Sequence, residues 1–333
     1  MNPKNIAIIA GGDSSEWVVS IKSAQGILNF LKDQPYHTYL ITIKGTDWEY
    51  KTAAGETLVV DKNDFSITES GMKICFDFAY ITIHGTPGEN GILQGYFELL
   101  RIPYSCCGVM AASITFNKYM CNKLLQNFGL PIAEAIVLHP HTPYQAEAIV
   151  AQLGLPCFVK PNVGGSSFGT TKVKAIEALQ PAIKEAFAEG PEVIIESFMQ
   201  GTEITCGCYR VGEQMTVFPI TEVVSKNEFF DYEAKYNADQ VDEITPARIS
   251  DTLTKQVQEQ TARIYDLLGC KGIIRVDYII VDGVPHLLEV NTTPGMTATS
   301  FIPQQVRAAG LEIGQVLAEI IDSEIAKNEA KNS

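Results

Sequence analysis

The sequence predicts an α/β protein that becomes α+β toward its C-terminus. Its expected organisation is an open α/β sheet unit over residues 1–106, a mixed unit over 107–195 and a strand-rich unit over 196–333. Three observations lead there. Short apolar runs alternate with a helical stretch in the first hundred residues, the pattern of an open sheet covered by helices. Long strand-like runs follow one another after residue 190. Within the last two of these, polar residues fall at alternate positions, which marks one face of a sheet.

The elements follow in order. "IAIIA" (6–10) reads as a buried parallel strand ending at Gly11-Gly12. The stretch "DSSEWVVSIKSAQGILNFLK" reads as a helix, because Val18, Ile21, Ala24, Leu28 and Leu31 recur at helical spacing. Asp13 is its expected N-cap, with Glu16 three residues on. "YLITI" (39–43) and "FDFAYITI" (76–83) are further strands. In open sheets ligands gather beyond the carboxyl ends of strands, where Gly11–Glu16 and "HGTPGENG" (84–91) both lie. "MAASITFNKYMCNKLLQNFG" reads as one helix stopped by Gly129. "AIVL", "CFVK" and "GTTKV" read as strands, with a glycine-rich loop between the last two. In the next helix, Pro181 demands a first-turn position or a kink. "EVIIESF", "EITCGCYRV", "MTVFPITEVV", "GIIRVDYIIV" and "PHLLEVN" are the late strands. Residues 225–250 are polar and irregular, the pattern of a mobile loop, and helices are expected near 252–268 and 312–328.

Bulk properties exclude some functions. A formal charge of −14 opposes nucleic acid as a partner. No apolar run approaches the length of a membrane span, and no signal-peptide pattern is visible, so a cytoplasmic protein is expected. Eight scattered cysteines without a C-x-x-C pair read as free thiols in a reducing compartment.

The chemistry concentrates in "IIRVDYIIVDGVPHLLEVNTTPG" (273–295). Asp282-Gly283 marks a hairpin. If Val281 pairs with Pro285 through a three-residue loop, Asp277 opposes Glu289, Arg275 opposes Asn291, and all four share a face. A two-residue turn would split them, since a slip of one residue flips the side chains. The first register is the expectation. Two carboxylates and an amide oxygen on one face suit Mg²⁺ with room for phosphate oxygens; the bland alternative is a surface stripe with a salt bridge. The loop in "KPNVGGSSFG" (160–169) can close its N–H groups over phosphates next to Lys160, or be a plain turn. It is not a Walker loop, and "IAIIAGGDSSE" lacks the dinucleotide fingerprint. "ESFMQGTE" (196–203) offers Glu196 and Glu203 to an adenine edge and a ribose, or two ordinary solvated ends. "FFDYEAKY" (229–236) has the composition of a closing lid or of a pinned surface loop. A lone His84 either orients a substrate or bonds loop backbone.

Taken in order, these stretches resemble the D-alanine–D-alanine ligases of the ATP-grasp superfamily. The likeness runs through "GGDSSEWVVS", "HGTPGENGILQGYFELLRIPYSCCGVMAAS", "KPNVGGSSFGTTKV", "ESFMQGTEIT", "FFDYEAKY", "CKGIIRVDYII" and "LLEVNTTPGMTATSFIP", with "EAKY" and "EVNTTPGMT" the more specific parts. The resemblance implies an ATP-grasp pair of subdomains after the N-terminal domain. It implies ATP gripped by Lys118 and Lys160, with Ser166 and Ser167 in the loop over its phosphates. Glu196, Ser197 and Met199 then fall on the adenine strip, Glu203 on the ribose and Lys235 on the γ-phosphate. Asp277, Glu289 and Asn291 become ligands of Mg²⁺, usually two ions, with Mn²⁺ able to substitute. Glu16 would hold the first D-alanine's ammonium through a network with Ser166 and Tyr236, beside His84. Arg275 and the Gly295 backbone would stabilise the oxyanion, and Ser300 with Phe301 would meet the second D-alanine. Tyr236 goes with D-alanine rather than D-lactate as second substrate. A cytoplasmic homodimer serving peptidoglycan precursor synthesis is implied.

The chain departs from the pattern at Trp17, Asn90, Cys106-Cys107, Gly164, Ser197 and Phe301. None touches the implied metal ligands or Arg275. Two rivals stand beside this reading: an ATP-grasp ligase for another carboxylate–amine or D-lactate pair, and a nucleotide-binding module without catalysis. The retained charged residues oppose the second, because binding alone does not need them all.

Overall fold

The computed structural model describes residues 3–165, 168–225 and 241–332. Its first sheet has the order β4-β3-β2-β1-β7, built from β1 (Lys4–Gly11), β2 (Tyr36–Lys44), β3 (Asp47–Lys51), β4 (Thr57–Val59) and β7 (Phe78–Ile81). A side hairpin, β5 (Ser66–Glu69) with β6 (Met72–Cys75), stands apart from it. β1 runs parallel to β2 and β7, the open-sheet arrangement expected. Its unbroken apolar sequence serves two cores. Ile6, Ile8 and Ala10 face one cluster, and Ala7 and Ile9 face the other, so both sides of the strand are buried.

The helix after β1 is α1 (Trp17–Leu31). Asp13 does not cap it. Its carboxylate accepts from the Gly45 N–H instead (2.7 Å), tying the loop after β1 to the loop after β2. The buried stripe is also shifted from the expected one: Ser20, Ser23, Ala24, Ile27 and Leu31 face inward, while Val18 is exposed. Serines serve on that face because Ser20 Oγ accepts from the Gly11 N–H at 2.8 Å.

After α2 (Ile92–Leu100), the expected single helix is two: α3 (Val109–Phe116) and α4 (Lys118–Asn127). Asn117 breaks the run. It is extended, and its Oδ1 caps the Met120 N–H at 2.9 Å. That break puts Lys118 at the first position of α4.

A four-stranded sheet of order β10-β9-β11-β8 follows, from β8 (Ala135–Leu138), β9 (Cys157–Pro161), β10 (Thr171–Val173) and β11 (Val193–Ser197). It packs on α5 (Ala146–Leu153) and α6 (Leu179–Glu189) around its own core. Pro181 is third in α6, within the first turn, where no helical N–H is lost.

The last sheet runs β15-β14-β12-β16-β17, with β13 beside β12. Its strands are β12 (Thr202–Val211), β13 (Gln214–Val217), β14 (Thr221–Ser225), β15 (Val241–Ile244), β16 (Ile274–Val281) and β17 (Val284–Asn291). The expected strand over 215–224 is interrupted at Phe218–Ile220, around Pro219, which has no N–H for a ladder. Three helices complete the chain: α7 (Asp251–Leu267), α8 (Phe301–Ala308) and α9 (Ile313–Asn332). α8 and α9 pack in the same cluster as Ile6, Ile8 and α1, so the first and last sheets share a core.

The β16–β17 hairpin corrects one expectation and keeps its result. Val281 pairs with Val284, so the turn has two residues, Asp282 (φ 49°) and Gly283 (φ 79°), as a type I′ turn requires. Yet Arg275 still opposes Asn291, and Asp277 opposes Glu289. A β-bulge between Asp277 and Tyr278 absorbs one extra residue on β17, skipping Leu288 in the pairing. Leu287 and Val290, three apart, therefore both reach the core.

Candidate active site

The hairpin presents one face of joined polar groups. Arg275 forks onto Asp277, Nε to Oδ1 at 2.9 Å and Nη2 to Oδ2 at 2.7 Å. Asn291 Nδ2 donates to Asp277 Oδ2 at 3.0 Å. From β12, Thr205 Oγ1 donates to Asp277 Oδ1 at 2.6 Å. Burial opposes the charge on Arg275, but Asp277 more than offsets it and holds the guanidinium protonated. The surface stripe considered as an alternative is thereby set aside, since Asp277 is buried.

The four-stranded sheet and the start of α4 supply the cations. Lys160 on β9 pairs with Glu196 on β11 at 2.7 Å, with side chains only 11% and 5% exposed. Burial works against the Lys160 ammonium, and the Glu196 and Glu289 carboxylates outweigh it and raise its pKa. Lys118 Nζ donates to the Gly164 carbonyl, the first part of the glycine loop. Its pKa is lowered, chiefly by burial, although Glu289 pulls the other way. Glu289 thus acts on both lysines, which places the hairpin face within electrostatic reach of the lysine sheet.

Residues of the first domain close one end. A side chain on Gly165 would strike Glu16, whose Oε2 would lie 2.8 Å from the added carbon, so the glycine loop rests against this carboxylate. Ser14 Oγ donates to the His84 carbonyl at 2.8 Å and accepts from the Glu16 N–H at 3.2 Å. His84 is buried, its Nε2 3.3 Å from Ser23 Oγ, and burial lowers its pKa. At the other end, contrary to the expectation that no departure touches Arg275, Phe301 lies with its ring centroid 5.3 Å from the Arg275 guanidinium carbon, a cation–π contact. Ser300 Oγ accepts from the Thr297 N–H at 3.0 Å and sits close to Gly295.

Of the residues expected to meet adenine, Ser197 and Met199 border an open cleft of about 610 Å³, with Glu134, Val281 and His286, and Glu196 does not line it. Ser197 Oγ accepts from the Glu134 N–H at 3.1 Å, so this side chain braces the strand. Glu203 on β12 pairs with Ile279 on β16, two residues from Asp277. Ser166, Ser167, Lys235 and Tyr236 lie outside the described residues.

The expected donor set for a cation is Asp277, Glu289 and Asn291, and Asp277 and Asn291 are hydrogen-bonded to each other. Among the described residues no group of three His, Cys, Asp or Glu side chains gathers that could hold a metal. Two carboxylates with an amide oxygen are hard donors that suit Mg²⁺ completed by phosphate oxygens and water, and do not suit a closed Zn²⁺ site.

Sequence reasoning missed several contributors. Thr205 gave no signal, because its role comes from pairing opposite Asp277. Asn117 and Asn162 position Lys118: Asn162 Nδ2 donates to Asn117 Oδ1, and Lys118 N to the Asn162 carbonyl. Glu89 sits in "HGTPGENG", a stretch singled out for its place beyond a strand end, for His84 and for Asn90, but not for this carboxyl. Burial and then Glu16 push its carboxyl up to about 8.

Two sheets that bring lysines and a carboxylate–arginine face together define an ATP-grasp ligase. The family model described as "D-ala D-ala ligase C-terminus" matches residues 124–322, and "D-ala D-ala ligase N-terminus" matches 5–107. A D-alanine–D-alanine ligase of Bacteroides fragilis is 61% identical over 321 residues, covering 96% of this chain and 99% of that protein. The crystal structure of D-alanyl-alanine synthetase A from Vibrio cholerae superposes with a TM-score of 0.87 at 26% identity, covering 98% of this chain and 99% of that one. The Bacillus anthracis D-alanine–D-alanine ligase complexed with ATP gives 0.79 at 30% identity, covering 99% and 100%. The chain belongs to the D-alanine–D-alanine ligase family.

Proposed function

We propose that this protein joins two D-alanine molecules into D-alanyl-D-alanine, using ATP and releasing ADP and phosphate. The observation that carries the reading is the Arg275–Asp277–Asn291 face, bonded as one unit within reach of Lys118 and Lys160. A carboxylate is a poor electrophile. Transfer of the γ-phosphoryl group to the first D-alanine gives an acyl phosphate with a leaving group. Lys118 and Lys160 grip the ATP phosphates, and Lys235 reaches the γ-phosphate. Bound Mg²⁺, held by Asp277, Glu289 and Asn291, supplies neutralisation of phosphate charge; a pair of ions is expected, with Mn²⁺ able to substitute. Glu16 holds the first ammonium beside His84, with Ser166 and Tyr236 in the same network.

The second D-alanine, with Ser300 and Phe301 around it, loses a proton and attacks the activated carbonyl. The oxyanion that forms takes hydrogen bonds from Arg275 and the Gly295 N–H. Collapse expels phosphate and leaves the peptide bond. Glu196, Ser197 and Met199 border adenine, Glu203 takes the ribose, and Ser167 joins the phosphate loop. Among the described residues no helix is long and apolar enough to cross a membrane. The family resemblance supports a cytoplasmic homodimer working in peptidoglycan precursor synthesis.

The test is phosphate release from ATP and Mg²⁺ with D-alanine, L-alanine or no amino acid, the product identified by mass. D-alanine-dependent release with a dipeptide product is expected. ATP binding without D-alanine-dependent turnover would overturn it in favour of another carboxylate–amine pair.

A further inference from the structure

One carboxyl in the site has no task in the reaction above. Glu89 follows β7 in the 84–91 loop. Its N–H donates to the Gly85 carbonyl at 2.8 Å, and the Gly85 N–H donates back to Glu89 Oε2 at 2.7 Å. The turn is closed twice, and the carboxyl is folded over the end of the strand. Glu16 reaches the same glycine from the other loop. A carbon added to Gly85 would lie 3.9 Å from Glu16 Oε2 and 3.0 Å from the Ser14 Cβ. Two carboxyls from different loops therefore converge on one residue.

The charges acting on Glu89 are Glu16, Lys118, Glu289 and Arg275. Among the described residues none of the cations is hydrogen-bonded to it. Carboxyls so placed repel unless a proton or a cation lies between them. Burial and Glu16 push Glu89 up to about 8, which favours its protonated form. An amino acid's ammonium has three N–H donors and a full charge, enough to bond both carboxyls and replace that proton.

We propose that Glu89 is the second carboxyl of the ammonium pocket for the first amino acid, facing Glu16 beside Gly85. This rests on the assignment of Glu16 made above.

The experiment measures rate against D-alanine concentration in the full-length protein, resolved into two Michaelis constants, with the KM for ATP measured separately. The variants are Glu89→Gln, Glu89→Ala and Glu16→Gln. Glutamine keeps an acceptor for the Gly85 N–H, so the turn persists while the charge is lost. Glu89→Gln is expected to raise the first-site KM roughly 10–100-fold, the scale of one charge-assisted hydrogen bond. The second-site KM and the KM for ATP should stay within about twofold, and Glu89→Ala should add a loss of kcat. An unchanged first-site KM in Glu89→Gln, with a raised one in Glu16→Gln, overturns the inference and spares the Glu16 assignment. If neither variant moves it, the assignment fails as well. A rise confined to the ATP constant also overturns the inference and gives Glu89 to Lys118 instead.

Discussion

The two halves of the site are built differently. On the β16–β17 hairpin, Asp277 receives hydrogen bonds from Arg275, Asn291 and Thr205, and every donor sits on a strand. On the opposite side the charges hang on loops and strand ends. Lys118 bonds a loop carbonyl, and Glu16 and Glu89 approach the same glycine from different loops. The hairpin half is fixed in advance, as oxyanion stabilisation requires. The other half is assembled from separate loops and one buried ion pair.

The largest effect should come from breaking the fixed half. Arg275→Ala is expected to cut kcat roughly 10²–10³-fold, because an oriented donor is lost. Full turnover in that variant would remove Arg275 from the chemistry. Next comes the buried Lys160–Glu196 pair of the four-stranded sheet. Lys160→Met strands Glu196 as a buried unpaired carboxylate, at a cost of about 3–5 kcal/mol in stability. Urea unfolding should show that loss, and a curve matching the parent would mean Glu196 finds another donor. A smaller effect should separate the halves by pH. Glu89 has a folded-state pKa of about 8, above the ordinary carboxyl value, so the folded protein holds the proton more tightly than the unfolded chain. Stability is thus lost progressively as pH rises from about 4.5 to 8. Glu89→Gln lacks this loss, so its Tm relative to the parent should climb between pH 5 and pH 8; a constant difference would contradict it. The smallest effect belongs to Asn90→Asp. Asn90 Nδ2 donates to Thr86 Oγ1 at 3.0 Å, and an aspartate can accept from the same hydroxyl. Stability should change by no more than about 0.5 kcal/mol, as thermal melts would show.

The fixed half was also the more legible in sequence. Polar residues at alternate positions of two apolar strands name a face, and Asp-Gly names the turn. The order of the strands around the glycine loop followed from apolar runs in the same way. What sequence reasoning placed wrongly was the turn length, because a type I′ turn and a bulge give the same pairing at Asp277 as a longer loop does. Local propensity likewise hid the break at Asn117, which depends on Asn162 forty-five residues away. α8 went unread because its start, Ser300, follows "TTPGMTAT" and its apolar face is set by docking on β12. Glu89 went unread for a different reason. Its significance lies in distance to Glu16, and the two belong to loops joined only by the fold.

The core shared by β1 and the last helices has a consequence in time. Ile6 and Ile8 are made some three hundred residues before their partners Ile302, Val306, Leu317 and Ile321. At about 5–20 residues per second, roughly 15–60 seconds pass in which that face of the first strand has α1 against it but lacks α8 and α9. The four-stranded sheet, whose core lies within residues 136–195, can close meanwhile. A nascent chain of this protein therefore carries an incomplete core, β1 and α1 without α8 and α9, for most of its synthesis.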